Sequence, residues 1–222
     1  MFNSSRAASA PVRKRLAMIL VLVMTGALVS TAQAAGSCDA TTREDALELV
    51  RETTNALFAA VDAYEGALSE NPADARALVE EYITPHVDLK GFSRLVLGKY
   101  WKRATPEQQE RFLAQFHNLV LRTYATAVTS YTGIKVEYLP MREERRENFA
   151  TVRTLIPRDQ GEGVEVNYRL HCRRNVWKLF DVSIAGVSMV TTYRTAFSAE
   201  VRKSGVEGLI QALEQKNEEV GA

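Results

Sequence analysis

The chain has 222 residues, 46% of them hydrophobic and 25% charged, with a formal net charge of +1. That is enough for one domain with a sizeable core. A near-neutral balance argues against a nucleic-acid binder, which would carry a basic domain with clustered Lys and Arg.

At the amino end, Arg6, Arg13, Lys14 and Arg15 precede an apolar run from Leu16 to Val29. Ala32-Gln33-Ala34 then supplies small residues at the two positions that a signal peptidase reads. Residues 1–34 therefore read as a secretory signal peptide. As a membrane anchor the run is too short, since spanning a bilayer takes about 20 apolar residues. As a lipoprotein signal it lacks a larger aliphatic residue three positions before Cys38. Its removal takes away four positive charges and no negative one, so the balance falls from +1 to −3. Residues 35–222 contain no Pro/Gly/Ser-rich linker and no internal repeat, and read as a single domain.

Export would place Cys38 and Cys172, the two cysteines of the chain, in an oxidising compartment. One reading is a bridge closing a long loop, for which the chain-entropy account gives about 4.7 kcal/mol. The other is a buried thiol at Cys172 and a frayed one at Cys38. Spacing alone does not choose between them.

The first half of the domain reads as helices. Thr41 and Glu44 form a capping box, and Ala46, Val50, Leu57, Val61, Tyr64 and Leu68 recur on one face. Asn71-Pro72 opens a second helix, which Pro85 ends, and a third runs from about Asp88 to Gly98. Thr105-Pro106 opens the longest, with Phe112, Phe116, Leu119, Leu121, Tyr124 and Val128 on a wide apolar flank.

After Gly133 the period changes to two. Ile134, Val136 and Tyr138 predict a half-buried strand, and a second follows from about Phe149 to Pro157. Val164, Val166, Tyr168 and Leu170 face one side of a third. A fourth, Val176 to Ile184, alternates so as to be apolar on both faces: Val176, Phe180, Val182 and Ile184 on one, Trp177 and Leu179 on the other. Such a strand belongs inside a covered sheet. Two helical pieces follow Ser188, divided at Gly205. Helices first and consecutive strands later imply an α+β domain with an antiparallel sheet.

Catalytic patterns are sparse. His86, His117 and His171 are scattered, without the spacing of a metal site. Gly186-Val187-Ser188-Met189-Val190 lacks the second glycine of a nucleophile elbow. Asp181 is the exception: simple alternation puts it beside Trp177 and Leu179 on a covered strand, where a carboxylate needs a partner or a raised pKa. It reads as a structural acid meeting Arg194 or a backbone amide near Gly186, or alternatively as the acid of an enzyme acting on a small apolar substrate.

One ordered set of motifs spans most of the domain: Leu97-Gly98-Lys99-Tyr100-Trp101, Thr105-Pro106-Glu107-Gln108-Gln109, Phe112 and Phe116, Gly186-Val187-Ser188-Met189, then Tyr193, Arg194 and Phe197. It resembles the MlaC family of periplasmic phospholipid-binding proteins, also known as toluene-tolerance auxiliary proteins. The resemblance implies an NTF2-like fold, in which helices and a curved antiparallel sheet enclose an apolar cavity for acyl chains, and it implies no cofactor. Candidate lipid-binding residues are Leu97, Tyr100, Trp101, Phe116, Val128, Val166, Tyr168, Trp177, Val187 and Met189. The implied partners are phospholipid, an inner-membrane MCE protein of an ABC transporter, and an outer-membrane lipoprotein and porin complex. One departure stands out: many relatives carry an acidic residue before the glycine of Gly-Val-Ser, where this chain has Ala185.

Overall fold

The computed structural model describes residue 38 and residues 41–128, 135–158 and 162–219, with the backbone alone at Thr126 and Val128. The segment read as a signal peptide, residues 1–34, lies outside them, as do Ile134 and Gly161. Among the described residues no helix is long and apolar enough to cross a membrane.

Helix α1 (Arg43–Asp62) starts one residue later than its pattern suggests. Thr42 and Asp45 make the capping box: the Thr42 N–H donates to Asp45 Oδ2 at 2.5 Å and its hydroxyl donates to the same oxygen at 3.2 Å. Thr41 is turned elsewhere, its hydroxyl lying 3.4 Å from Cys172 Sγ. Helix α2 (Pro72–Tyr82) has proline at its first position. After it, a 3-10 turn, Thr84–His86, leads to Asp88, whose Oδ1 accepts the Gly91 N–H at 2.8 Å and caps α3 (Leu89–Leu97).

Gly98 closes α3 at φ 59°, ψ −127°, a conformation that a residue with a β-carbon strongly disfavours. The turn Gly98–Arg103 then carries Tyr100 and Trp101 inward. Thr105 and Gln108 exchange reciprocal hydrogen bonds of 3.2 Å at the start of α4 (Pro106–Val128). Gln109 Nε2 donates to the carbonyls of Trp101 and Ala104. Arg194 Nε donates to Leu95 O at 2.7 Å, satisfying a carbonyl in the last turn of α3. The motif set is thus largely a set of helix ends fastened to one another.

Strands β1 (Glu137–Leu139), β2 (Phe149–Ile156), β3 (Val164–Arg173), β4 (Val176–Ile184) and β5 (Val187–Ser188) form one antiparallel sheet in chain order. Strand β5 has two residues, too few for a period to reveal. Helix α5 (Met189–Glu219) follows and breaks direction at Gly205, φ 75°, ψ 177°.

The expected face assignment of β4 is corrected by a β-bulge. Arg169 pairs with Asp181 but Leu170 with Leu179, which leaves Phe180 as the extra residue. Counting past it, Trp177, Leu179, Val182 and Ile184 share one face, while Lys178, Asp181 and Ser183 take the other. The strand is therefore amphipathic with one inserted phenylalanine, and is not apolar on both sides. Phe180 packs against Phe149 and His171, ring centroids 5.8 and 5.6 Å away.

Helices covering an antiparallel sheet give the α+β, NTF2-like architecture. Ala46 and Val50 of α1 lie on Ala150, Val152, Leu170, Cys172 and Trp177 of one sheet face. A larger cluster joins α3, α4 and α5 around Phe92, Phe112, Phe116 and Phe197, with Val182 against it. A third, smaller cluster holds Leu57 and Val61 of α1 to Leu68 and to Ala75 of α2.

Candidate functional site

A cavity of about 50 Å³ lies in the seam between α1 and the sheet. Leu49, Val50, Thr53 and Thr54 line it from α1, Ile83 and His86 from the end of α2 and the turn beyond, and Tyr168, Leu170 and Leu179 from β3 and β4. Three segments far apart in sequence meet here because Val87 bridges to Leu179 and the Asp88 N–H donates to Leu179 O at 2.8 Å. The edge of β4 is thereby sealed by the chain leading into α3. Burial, helped by the Lys178 ammonium, holds the His86 imidazole below its ordinary pKa, so at neutral pH an uncharged ring faces the space.

A disulfide between Cys38 and Cys172, with Cα atoms 6.1 Å apart, fastens the chain just before α1 to the same sheet face. On the opposite face His171 Nε2 lies 2.8 Å from Asp88 Oδ2. That bond holds the Asp88 carboxyl below its ordinary pKa. His117 lies 3.1 Å from Glu80 and joins α4 to α2. Among the described residues no three His, Cys, Asp or Glu side chains converge as metal ligands would.

Asp181, 1% exposed, does not line the cavity. Its Oδ2 accepts the Ser188 hydroxyl at 2.7 Å and its Oδ1 accepts the Val190 N–H at 3.1 Å, with Arg169 NH1 at 3.4 Å. Ser188 Oγ in turn accepts the Thr191 N–H at 3.1 Å. The carboxylate therefore neutralises the positive start of α5 and pins it to the sheet. The backbone amide that this acid meets is that of Val190 in the first turn of α5, and its charged side-chain partner is Arg169, since Arg194 is engaged with α3. Both oxygens of Asp181 are thus engaged within the protein.

The ten residues named as lipid-binding candidates do not converge on one space. Tyr168 lines the cavity, and Trp177 is buried in the same seam. Val166 is buried on that face, paired with Ile184. Leu97, Tyr100, Trp101, Phe116 and Met189 belong to the helical cluster. Val187 is 62% exposed and lines an open groove with Ser188, Thr191 and Thr195. Val128 ends α4, and its side chain is outside the described set. Sequence reasoning missed Leu49, Thr53, Thr54, Ile83, His86, Leu170 and Leu179 as cavity walls. The helical period placed Val50 on the inner face of α1, and strand alternation placed Leu170 beside Tyr168; those were the available signals.

Comparison with known proteins adds the following. The family profile described as MlaC protein matches residues 51–215. The intermembrane phospholipid transport system binding protein MlaC of Haemophilus influenzae is 28% identical over 170 residues, covering 75% of this chain and 79% of that protein. The toluene tolerance protein ttg2D of Pseudomonas putida is 26% identical over 161 residues, covering 71% and 74% respectively. A phospholipid-binding protein from Ralstonia solanacearum, solved in complex with a phospholipid, matches with a TM-score of 0.74 at 30% identity, over 80% of this chain and 99% of that one.

Proposed function

Because this chain belongs to the MlaC family, we propose that it is a periplasmic phospholipid carrier, exported by residues 1–34. It takes lipid between an outer-membrane lipoprotein and porin complex and an inner-membrane MCE protein of an ABC transporter, and so helps to keep the outer membrane asymmetric. The observation that carries the reading is the shared fold with a protein solved with phospholipid bound. The apolar seam supports it.

The physical need for a carrier is large. Each methylene moved into water costs about 0.8 kcal/mol, so two chains of roughly thirty methylenes together cost over 20 kcal/mol to release unaided. An apolar interior comparable to the bilayer makes transfer nearly balanced, and the partners then set direction.

A small-molecule site usually measures about 300–1,000 Å³, against about 50 Å³ here. Acyl chains therefore enter by parting α1 from the sheet. Tyr168, Leu170, Leu179, Leu49 and Ile83 form the first walls, and the helical cluster around Phe116 and Met189 forms the wall behind them. In the sheet cluster α1 contributes Ala46 and Val50 as buried residues, with Leu47 and Leu49 only partly buried.

Protein recovered from the periplasm should carry phospholipid that is extractable by organic solvent and visible by native mass spectrometry. Leu170→Trp should fill the cavity, lowering lipid content while shifting the denaturant midpoint by less than the ~1–3 kcal/mol of an overpacked core. Val166→Trp and Met189→Trp, compared in the same way, report how far the chains reach. Protein that takes no lipid from vesicles, or a destabilised Leu170→Trp that keeps its full lipid load, would sink this reading.

A further inference from the structure

The hairpin between β3 and β4 turns at Arg174-Asn175, where φ is 52° and 59°. Two-residue turns of this hand match the twist of paired strands and are usually made by Asn-Gly or Gly-Gly. Left-handed backbone is unfavourable for arginine, and strain retained where a glycine would relieve it points to a use for the side chain.

Other observations fall on the same tip. Arg173 and Arg174 are exposed, and among the described residues neither has a carboxylate within ion-pair distance. Arg173 acts at longer range on Asp88, which is already bonded to His171. Val176, large and apolar, is 50% exposed. From Arg173 to Lys178 there is no acidic residue. The Cys172 N–H donates to Asn148 O, which brings the segment preceding β2, with exposed Arg145 and Arg146, to this end of the sheet. That segment also carries exposed Glu143 and Glu147, so the unopposed charge is that of the hairpin itself.

We propose that this hairpin tip docks on the surface of an anionic phospholipid bilayer. Arg173 and Arg174 meet the phosphates, and Val176 enters the interface between them. A convex tip with one apolar residue is poorly suited to a protein partner, which takes about 800 Å² from each side. A membrane surface instead rewards each arginine near it with about 1 kcal/mol and a partly inserted valine with a little more, which makes docking weak and reversible. Leu179, a wall of the cavity, lies three residues along β4 from Val176, about 10 Å at strand rise. Docking therefore holds the seam close to its lipid source. The inference goes beyond lipid carriage and is tested separately from it.

The test is flotation of the exported protein with vesicles of phosphatidylcholine alone and of phosphatidylcholine with phosphatidylglycerol, at low and high salt. Wild type should bind the anionic vesicles and be released by salt. Arg174→Gly should bind about fivefold more weakly, the equivalent of about 1 kcal/mol for an arginine near the surface, while its denaturant midpoint rises because the strain is gone. Arg174→Lys should retain binding, and adding Arg173→Gln to Arg174→Gly should bring the loss to roughly 30-fold. Native mass spectrometry should find the same bound lipid in every variant, which separates a failure of docking from a failure of carriage. Equal flotation of wild type with both vesicle types, or undiminished flotation of the double variant, would overturn the proposal. So would a double variant that floats normally but no longer exchanges lipid with a purified protein complex.

Discussion

Ala185 sits in the left-handed region at φ 49°, directly before Gly186 at 81°, and its side chain is exposed. The two residues turn β4 back into β5, so the strain lies in the loop that delivers Ser188 to Asp181. Left-handed backbone costs a residue with a β-carbon roughly 1–2 kcal/mol, whereas glycine costs about 0.4–1 kcal/mol in extra unfolded-chain freedom. The first effect is the larger, so Ala185→Gly should raise the urea midpoint by the equivalent of about 0.5–1 kcal/mol; a fall would show that the turn is held by something other than its backbone. Asp181 was legible from sequence as a buried acid in want of a partner. Its direction was not, because one unpaired residue upstream reverses the count.

Among the elements, long periodic pieces were the most readable. The bounds of β4 and the start of α4 coincide with expectation, since the turn residues and the Thr105-Pro106 start are local signals. Errors arose where a distant contact overrode a local one: Thr41 turns toward Cys172, and Phe180 is extruded to pack on Phe149 and His171. The cavity escaped notice for the same reason. It is the space left between residues 49–54, 83–86 and 168–179, and no period within any one segment records it. The division of α5 at Gly205 was visible, and its purpose now is too. The second half carries Leu209, Ile210 and Leu213 into the helical cluster, while Arg111 of α4 pairs with Glu207 at 2.7 Å and Glu214 at 3.0 Å. Since φ 75°, ψ 177° is close to glycine-only, Gly205→Ala should cost about 1–3 kcal/mol in denaturant unfolding. No β-carbon clash would contribute, because nothing lies within 4 Å of that position. A neutral result would mean that the two halves of α5 are not held at a fixed angle.

At the scale of the whole molecule, the described buried apolar residues fall into three clusters in place of one, an arrangement that suits the proposed entry of lipid between α1 and the sheet. The helical cluster carries the closest ring packing, with Phe112 and Phe116 stacked at 5.8 Å and Phe92 edge-on to Phe116 at 5.3 Å. The cover made by α1 and α2 has its own small cluster, and α2 is tied to α4 through Glu80 and His117, so the part of it free to part from the sheet, on the proposed reading, is α1. The bridge between Cys38 and Cys172 limits that motion at one end of α1. Replacing both cysteines by serine should lower stability by about 2–5 kcal/mol and should speed loss of bound lipid to acceptor vesicles. Unchanged release would place the opening elsewhere. The same bond also sets an order in time. Cys38 precedes every described element, whereas Cys172 arrives only with the third strand, so a chain exported amino end first holds its leading thiol unpaired until most of the sheet has followed it. With no third cysteine in the sequence, no wrong partner exists within the chain. Covalent closure of α1 over the sheet therefore waits on the third strand, so the wall proposed to open is one that the chain fastens only after that strand has been made.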